Sequence, residues 1–231
     1  MGLVVAVVLI ILGSNLAGVV ATWWEFHSPW VAAHRIQDQE RMVPWEEWRG
    51  RIPLIAANLL TLLVLSVAGT WQNQALFTWE VQSPGVFAAV FLLMLVLDDA
   101  YFYGYHRALH QVPFLFRTIH RIHHRAYAPV PLDYIYVHPL EWSMGTVGVV
   151  LGLAATHLWL GLIPAWPFLA YNIFRNVREL IIHSGLPSGA LRHLKILGLT
   201  EHHDLHHAKL QGNYASMLHL WDMLFRTRLR V

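Results

Sequence analysis

The sequence predicts an all-α integral membrane protein with about four to five transmembrane helices. Of its 231 residues, 56% are hydrophobic and only 13% are charged, and the mean hydropathy is +0.42. A soluble domain with a polar shell does not reach this balance. Uncharged stretches of bilayer length recur along the chain, and the alternation typical of strands is not evident.

Five segments are candidate spans, and we treat residues 1–231 as a single domain because no internal repeat is present. The first segment contains only Ser14 and Asn15 as strongly polar residues, and no basic residue precedes it, so a retained span is favoured over a cleaved signal peptide. The fifth is shorter in its apolar part and turns polar at Arg175. The candidate spans are residues 3–21, 52–69, 85–103, 144–160 and 163–182.

The basic residues predict the orientation of these spans. Four arginines lie between the first two spans, four lie in residues 107–125, and the other eight basic residues follow from Arg175 onward, whereas residues 70–84 contain none. Loops left in the cytoplasm carry the excess of Lys and Arg. We therefore expect a cytoplasmic cap formed by residues 98–142 and 175–231. The pI near 9.0 is explained by this distribution, and no nucleic-acid partner is expected.

Histidine is unusually abundant, with 16 residues, and nine of them fall in two short windows. The absence of cysteine excludes thiolate zinc sites and disulfides, and leaves nitrogen and oxygen as ligands. Spacings of three and four residues bring side chains to one face of a helix. The pairs are His106 with His110, His120 with His123 or His124, and His203 with His206 or His207.

Adjacent histidines such as His123 and His124 point about 100° apart on a helix, so each is expected to serve a different ion. The cap therefore is expected to hold a histidine-rich dinuclear metal site. Imidazole suits iron, copper, zinc and nickel, so the ligands alone leave the metal open.

Several other side chains are candidates for supporting roles. Asp99 lies two helical turns before His106 and is expected to accept a hydrogen bond from a ligand imidazole. Asp204, Glu141 and Glu179 are further candidates for this role. His138 and His202 are intermediate cases, as additional ligands or hydrogen-bonding neighbours. We expect His157 to be a packed residue, and His27, His34 and His219 to be interfacial or surface residues.

The order of the motifs HRALH, HRIHH and HHDLHH, followed by NYASMLHLWDMLFRT, resembles the fatty acid hydroxylase and sterol desaturase superfamily over residues 85–231. The resemblance implies a membrane-bound, non-haem di-iron oxygenase that uses O₂ against a C–H bond of a lipid. It also implies His183, in LIIHSG, as a ligand, and leaves His138 as the next candidate for a tenth. The implied iron ligands are His106, His110, His120, His123, His124, His183, His203, His206 and His207.

Two departures from the family pattern fall in the tail, where Ala215 and Arg226 stand in place of glycines. They are expected to disturb a turn and to leave the metal site intact. No fused haem or flavin domain is evident in the sequence, so electrons are expected from a separate reductase, ferredoxin or cytochrome-type donor.

The predicted function is therefore oxidation by hydroxylation or desaturation of a membrane lipid, such as a fatty acyl chain or a sterol. The active site is expected on the cytoplasmic face of a multi-pass protein, with no catalytic side chains beyond the metal centre. The alternative is a non-oxidative, histidine-rich membrane protein that binds or transports a metal. This alternative is weakened because the spans carry almost no ionisable residues.

Overall fold

The computed structural model describes residues 1–194 and 196–229, and this part of the chain is built almost entirely of helices. Lys195, Arg230 and Val231, which belong to the expected cap, lie outside the described residues. Two-residue strands β1 (Phe77–Thr78) and β2 (Ile163–Pro164) pair in parallel. The α-helices are α1 (Gly2–His27), α2 (Pro29–His34), α3 (Trp45–Trp48), α4 (Ile52–Asn73), α5 (Pro84–Gln111), α6 (Pro113–Thr118), α7 (Pro139–Gly145), α8 (Val147–Leu160), α9 (Ala165–Ile182), α10 (Thr200–Lys209) and α11 (Leu220–Leu224). The 3₁₀ helices are Gln39–Arg41, Arg49–Arg51, Gln74–Leu76, His120–Arg125, Pro131–Ile135 and Gly189–His193.

Four helical runs within the described residues are long and apolar enough to cross a membrane. They are α1, the run Gln39–Leu76 that includes α4, α5, and the run Pro139–Leu160 that includes α7 and α8. The fifth predicted span corresponds to α9, which is not among them and whose second half carries Arg175, Arg178 and Glu179. The fold class of an all-α integral membrane protein is confirmed.

Local sequence signals explain where α5 begins and ends. Ser83 caps its first turn through its side-chain oxygen, and Pro84 occupies the first helical position. The helix then runs 28 residues without interruption until Val112, which precedes Pro113 and adopts an extended conformation. Because α5 is longer than a bilayer requires, its last turns carry His106 and His110 beyond the most apolar stretch.

Glycines allow α5 and α8 to pack closely. A Cβ atom at Gly148 would lie 2.7 Å from the Cα atom of Asp98, and one at Gly152 would lie 3.1 Å from the Cα atom of Met94. Small residues of this kind permit close contact between helix backbones in a membrane. A side chain at Gly148 would therefore force the two helices apart.

Three buried ion pairs connect the helices at one end of the bundle. Arg175 Nε lies 2.7 Å from Asp98 Oδ2 between α9 and α5, and Arg51 Nη1 lies 2.7 Å from Asp133 Oδ2. A third pair joins Arg35 to Glu25. Arg35 and Arg51 belong to the set that predicts the orientation, but the structure buries both of them against carboxylates. An unpaired charge at such positions would be very costly, so these arginines also hold the bundle together.

The two ends of the bundle differ in content. One end, which we call the cap end, contains the C-termini of α5 and α9, the segment 112–138, α10 and the C-terminal tail. At the opposite end the amino terminus donates to Gln74, β1 pairs with β2, and the rings of Trp79 and Trp166 pack edge to face. Every histidine predicted as a ligand lies at the cap end.

Candidate metal centre

Nine histidines meet at the cap end in two groups, and they are the nine that the resemblance implies as ligands. In the part of the chain that the structure describes, each group brings one ring nitrogen per residue within 4.8 Å of the others. The first group contains His106, His110, His120, His124 and His206, and the second contains His123, His183, His203 and His207.

Four segments supply these side chains. Helix α5 gives His106 and His110 to the first group, and His183 follows the last residue of α9 and enters the second. The 3₁₀ helix His120–Arg125 and helix α10 each contribute to both groups. The two groups therefore share two of their supporting elements.

The spacing of the histidines explains this division. His120 converges with His124, and His203 converges with His207, so the structure selects the four-residue spacing in both cases. The neighbours His123 and His206 point into the opposite groups. Adjacent residues thus face different groups in both segments, as predicted, although only α10 has the α-helical rotation of about 100° per residue and the 3₁₀ helix rotates by about 120°.

Hydrogen bonds to the outer ring nitrogens orient the imidazoles of the first group. Nδ1 of His106 lies 2.7 Å from the carbonyl oxygen of Tyr214, and Nδ1 of His206 lies 2.8 Å from that of Gly212. Nδ1 of His120 lies 2.8 Å from Glu141 Oε1. Carbonyl and carboxylate oxygens only accept, so each Nδ1 donates its proton. In the neutral ring, the lone pair is then on Nε2, which faces the group.

The inner nitrogens of the first group are closer than neutral lone pairs tolerate. Nε2 of His120 lies 2.8 Å from that of His110, 3.1 Å from that of His106 and 3.0 Å from that of His124. The Nε2 atoms of His124 and His110 are 3.1 Å apart. A shared proton would relieve one such pair, whereas a divalent cation would relieve all of them. Two nitrogens at right angles around one ion, each at about 2.1 Å, would be about 3.0 Å apart, so the group fits a metal ion.

The second group has similar spacing but fewer external supports. Nε2 of His203 lies 3.0 Å from that of His183 and 3.1 Å from that of His207, and His183 Nδ1 donates to the carbonyl oxygen of Glu179 at 2.8 Å. The Nδ1 atoms of His123, His203 and His207 have no hydrogen-bond partner among the described residues. This group therefore gains less orientation from its surroundings than the first.

The groups are in direct contact with each other. The ring centroids of His124 and His207, which belong to different groups, are 4.7 Å apart, and those of His123 and His124 are 5.4 Å apart. Two ions bound in these groups would consequently be neighbours, as in a dinuclear centre.

Burial favours the neutral form of several imidazoles of the two groups. Outside the spanning helices, burial is the largest cause of a pKa well below the ordinary value of 6.5, and repulsion from neighbouring imidazoles adds to it. The pKa of His183 is also lowered by burial, although Glu179 opposes this effect. Neutral imidazole is the form that binds a metal. The histidines outside the spanning helices whose pKa is lowered well below its ordinary value are His123, His124, His203, His206 and His207.

The predicted supporting carboxylates divide into those that contact the histidines and those that do not. The predictions for Asp99 and Asp204 are wrong. Asp99 accepts from the backbone N–H groups of Met217 and Leu218 and contacts no imidazole, and Asp204 pairs with Arg41 at 2.9 Å. Spacing along a helix correctly places a side chain on a face, but a competing partner from the distant tail takes the carboxylate.

His138 and His202 do not join either group. His138 caps α7 by accepting from the N–H of Leu140, and His202 stacks on His219 with ring centroids 3.2 Å apart. The expectation of a surface position for His219 is wrong, because this side chain is 2% exposed and its Nε2 accepts from the N–H of Leu199. Burial lowers the pKa of His202 to about 2 and that of His219 to about 3. Both rings are therefore neutral packing partners.

The sequence gives no sign of the carbonyl groups that orient His106 and His206, because every residue has a carbonyl. They belong to residues 212–222, which we call the tail loop. Asp222 accepts from the N–H groups of Tyr214 and Ala215, while Asp99 also accepts from Trp221 Nε1. Asp99 therefore acts on the site through the tail loop. The sequence signal available for this arrangement was an acidic residue within an apolar segment, because acidic side chains are rarely buried without a partner.

Two adjoining cavities lead from the helices to the histidines. The first, of about 180 Å³, lies among α1, α4, α8 and α9, and we call it the helix cavity. The second, of about 40 Å³, is lined by His106, His120, His123, His183 and His203 among others, and we call it the histidine cavity. Trp142 and Arg175 line both cavities. An apolar molecule entering between the helices would reach the histidines past these two side chains.

The fold and the site together define an integral membrane protein with two contacting groups of histidines, nearly all of them buried. A sequence profile of the fatty acid hydroxylase family matches residues 91–227, which is more than half of the chain. The chain therefore belongs to the fatty acid hydroxylase family, and the resemblance found in the histidine motifs is confirmed. No solved structure gives a significant match.

Curated proteins similar to this chain include several methylsterol monooxygenases. Methylsterol monooxygenase erg25A of Aspergillus fumigatus is 37% identical over 144 residues, which are 60% of this chain and 46% of that protein. Methylsterol monooxygenase 1 of Rattus norvegicus is 27% identical over 206 residues, covering 86% of this chain and 68% of that protein. The corresponding protein of Gallus gallus is 29% identical over 208 residues, covering 86% and 67%. The matches thus span from about half to about two thirds of these relatives.

Proposed function

We propose that this chain is an O₂-dependent oxidoreductase that holds two iron ions and hydroxylates or desaturates a C–H position of a membrane lipid of the sterol class. The observation that carries this proposal is the pair of contacting histidine groups at the end of an apolar cavity. The sterol class is favoured by the names of the relatives.

Two iron ions, when bound, would supply the chemistry that activates O₂ and oxidises an unactivated C–H bond. The nine histidines of the two groups would hold them. Glu141 and the carbonyl groups of Gly212, Tyr214 and Glu179 orient four of the rings, so that their Nε2 lone pairs point inward. Such outer partners increase the basicity of a ligand and fix its tautomer.

The surrounding protein excludes water from the site and brings the lipid to it. Eight of the nine histidines are buried, and His110 is partly exposed. The helix cavity is lined mainly by aliphatic and aromatic side chains, so it favours the hydrocarbon body of a lipid. The substrate would enter from the bilayer and present one carbon to the histidine cavity.

Electrons would come from a separate reductase, ferredoxin or cytochrome-type protein, and the site would lie on the cytoplasmic face. The distribution of basic residues supports this orientation. The exposed side chains of Arg117, Arg121 and Arg125 lie near His110 in the chain, on the same side of the bundle. They would anchor this face to anionic lipid or contact an acidic donor.

The experiment is metal analysis of the purified protein, combined with lipid mass spectrometry of cells that express the wild type or His123→Ala. We expect about two iron ions per chain and a product sixteen mass units heavier than its precursor, or two units lighter for desaturation. His193→Ala removes an exposed histidine outside both groups and serves as the matched control. A product that persists in His123→Ala would contradict the oxygenase proposal.

The alternative of a non-oxidative metal-binding or metal-transport protein is not favoured, because the family match and the relatives point to oxidation. This alternative predicts a different result for the same purified protein. Zinc uptake into vesicles that contain the protein, without oxygen consumption, would support it.

A further inference from the structure

Two polar atoms in the histidine cavity have no hydrogen-bond partner, although they are buried. They are the indole Nε1 of Trp142 and the carboxylate Oε2 of Glu141, whose residues are 8% and 9% exposed. Both side chains line this cavity and project from α7. Leaving a buried donor or acceptor without a hydrogen-bond partner destabilises the folded protein. Two such atoms in one cavity indicate that a ligand supplies the missing partners.

Each of the other polar side chains of the cavity, the histidines apart, already makes at least one hydrogen bond. Ser216 donates to Glu179 at 2.6 Å, Tyr134 donates to Asn15 at 3.0 Å, and Arg175 donates to Asp98 at 2.7 Å. The second oxygen of Glu141 accepts from His120. Among the described residues, Trp142 Nε1 and Glu141 Oε2 are therefore the two buried non-histidine side-chain atoms of this cavity that have no hydrogen-bond partner.

We propose that Trp142 and Glu141 form a subsite for a hydroxyl group of the lipid substrate. A hydroxyl donates one hydrogen bond and accepts others, so a single alcohol oxygen can accept from Trp142 Nε1 and donate to Glu141 Oε2. This inference rests on the proposed function and deepens it, because it assigns a chemical group of the substrate to two named residues.

The same pair of atoms discriminates against other lipid classes. An ether or ester oxygen has no proton to donate, so it leaves Glu141 Oε2 unpaired. A fatty acid carboxylate would be repelled by Glu141, and the charge of Arg175 is already paired with that of Asp98. The subsite therefore selects a neutral lipid alcohol whose hydrocarbon body lies in the helix cavity.

The test compares equilibrium binding of probe lipids to the purified chain in nanodiscs. Cholesterol, its 3-methyl ether and 5-cholestene, which lacks the oxygen, form the sterol set, and 1-octadecanol, octadecane and stearic acid form the linear set. We expect the wild type to bind each alcohol about tenfold more tightly than its hydrocarbon, the factor that one net hydrogen bond supplies. The methyl ether and stearic acid should bind less tightly than the corresponding alcohols.

Trp142→Phe removes the indole N–H and keeps an aromatic ring. We expect it to reduce the preference for the alcohol several-fold and to leave binding of the hydrocarbon unchanged. Trp166→Phe is the matched control, because Trp166 Nε1 donates to the carbonyl of Trp79 at the opposite end of the bundle. This control should keep the wild-type preference.

The outcomes separate this inference from the proposed function. Equal binding of alcohol, methyl ether and hydrocarbon by the wild type would overturn the subsite, and this measurement needs no variant to fold. A preference for 1-octadecanol without binding of cholesterol would keep the subsite and remove the sterol assignment. If the wild type binds these lipids equally but cells still form an oxidised lipid product, the subsite is wrong and the oxidoreductase proposal is supported.

Discussion

The two histidine groups have similar spacing between their nitrogens but differ in how their rings are held. In the first group, Glu141 and two carbonyls of the tail loop fix His120, His106 and His206. In the second group His183 has such a partner, whereas Nδ1 of the other three rings has none among the described residues, as is also the case for His124 in the first group. The first group also provides five ring nitrogens, whereas the second provides four. We therefore expect the first group to hold an ion more firmly than the second, whose rings have more freedom to rearrange.

The largest expected effect comes from deleting one ligand in each group. His203→Ala leaves three nitrogens in the second group, and we expect iron to fall from about two to about one per chain. Product formation should fall more than a hundredfold, beyond the 10–100-fold cost of removing an outer-shell partner. His110→Ala leaves four nitrogens in the first group and should retain more iron. Equal iron loss in both variants, measured by metal analysis, would contradict the expectation that the first group holds its ion more firmly than the second.

Acid should unfold the metal-free protein more readily than the iron-loaded protein. The pKa of His123, His203 and His207 is lowered in the fold, whereas the unfolded value is near 6.5, so the unfolded chain binds more protons below that pH. Stability is thus fully present above pH 6.5 and is lost as the pH falls toward the lowered values. The loss approaches about 1.4 kcal/mol per histidine for each pH unit below 6.5.

Thermal unfolding at pH 7.5 and at pH 5.5, with and without bound iron, measures this effect. Iron should protect the folded protein, because a bound ion prevents protonation of its ligands. A midpoint that is independent of pH in the metal-free protein would contradict the prediction.

Glu141→Gln is expected to weaken metal binding by the first group alone. This effect is smaller than that of deleting a ligand. The substitution removes the carboxylate that orients His120, so we expect the affinity of the first group to fall about 10–100-fold while the second group is unchanged. Chelator competition during iron release should show one weakened site and one normal site. Two equally weakened sites would show that Glu141 supports both groups.

Asp99→Asn tests how much the hydrogen bonds between Asp99 and the tail loop stabilise the fold. The side chain accepts from two backbone N–H groups and from Trp221 Nε1, and an amide in its place would direct its own N–H₂ toward one of these donors. We expect a loss of about 1–3 kcal/mol in the free energy of unfolding. Asp38→Asn, at an exposed 3₁₀-helix cap, is the control and should change stability far less.

The smallest effect concerns the departure from the family pattern at Arg226. This residue has φ of 56°, a left-handed conformation that favours glycine, and its side chain is exposed. Arg226→Gly should therefore stabilise the protein by about 1 kcal/mol without changing iron content. Arg228→Gly, at a position without positive φ, should not stabilise it. Equal thermal shifts in the two variants would contradict this account.

The histidine motifs predicted much of the site, because helical rotation alone divides neighbours such as His123 and His124. His183 came from the resemblance to the family, since it has no partner at ligand spacing. Asp99 and Asp204 were predicted wrongly because their partners lie more than a hundred residues away in the chain. Hydropathy similarly identified four spans and could not show that Arg35 and Arg51 are buried against carboxylates.

The position of the tail loop has a consequence for the order in which the protein assembles. The carbonyls of Gly212 and Tyr214 act on rings as distant in sequence as His106, 108 residues earlier. During synthesis the spanning helices emerge and insert before α10 and the tail loop exist. Until then, His106 and His110 have neither their partner His206 nor an outer hydrogen bond from the tail. Iron would therefore enter a chain that is already in the bilayer, as the final step of its maturation.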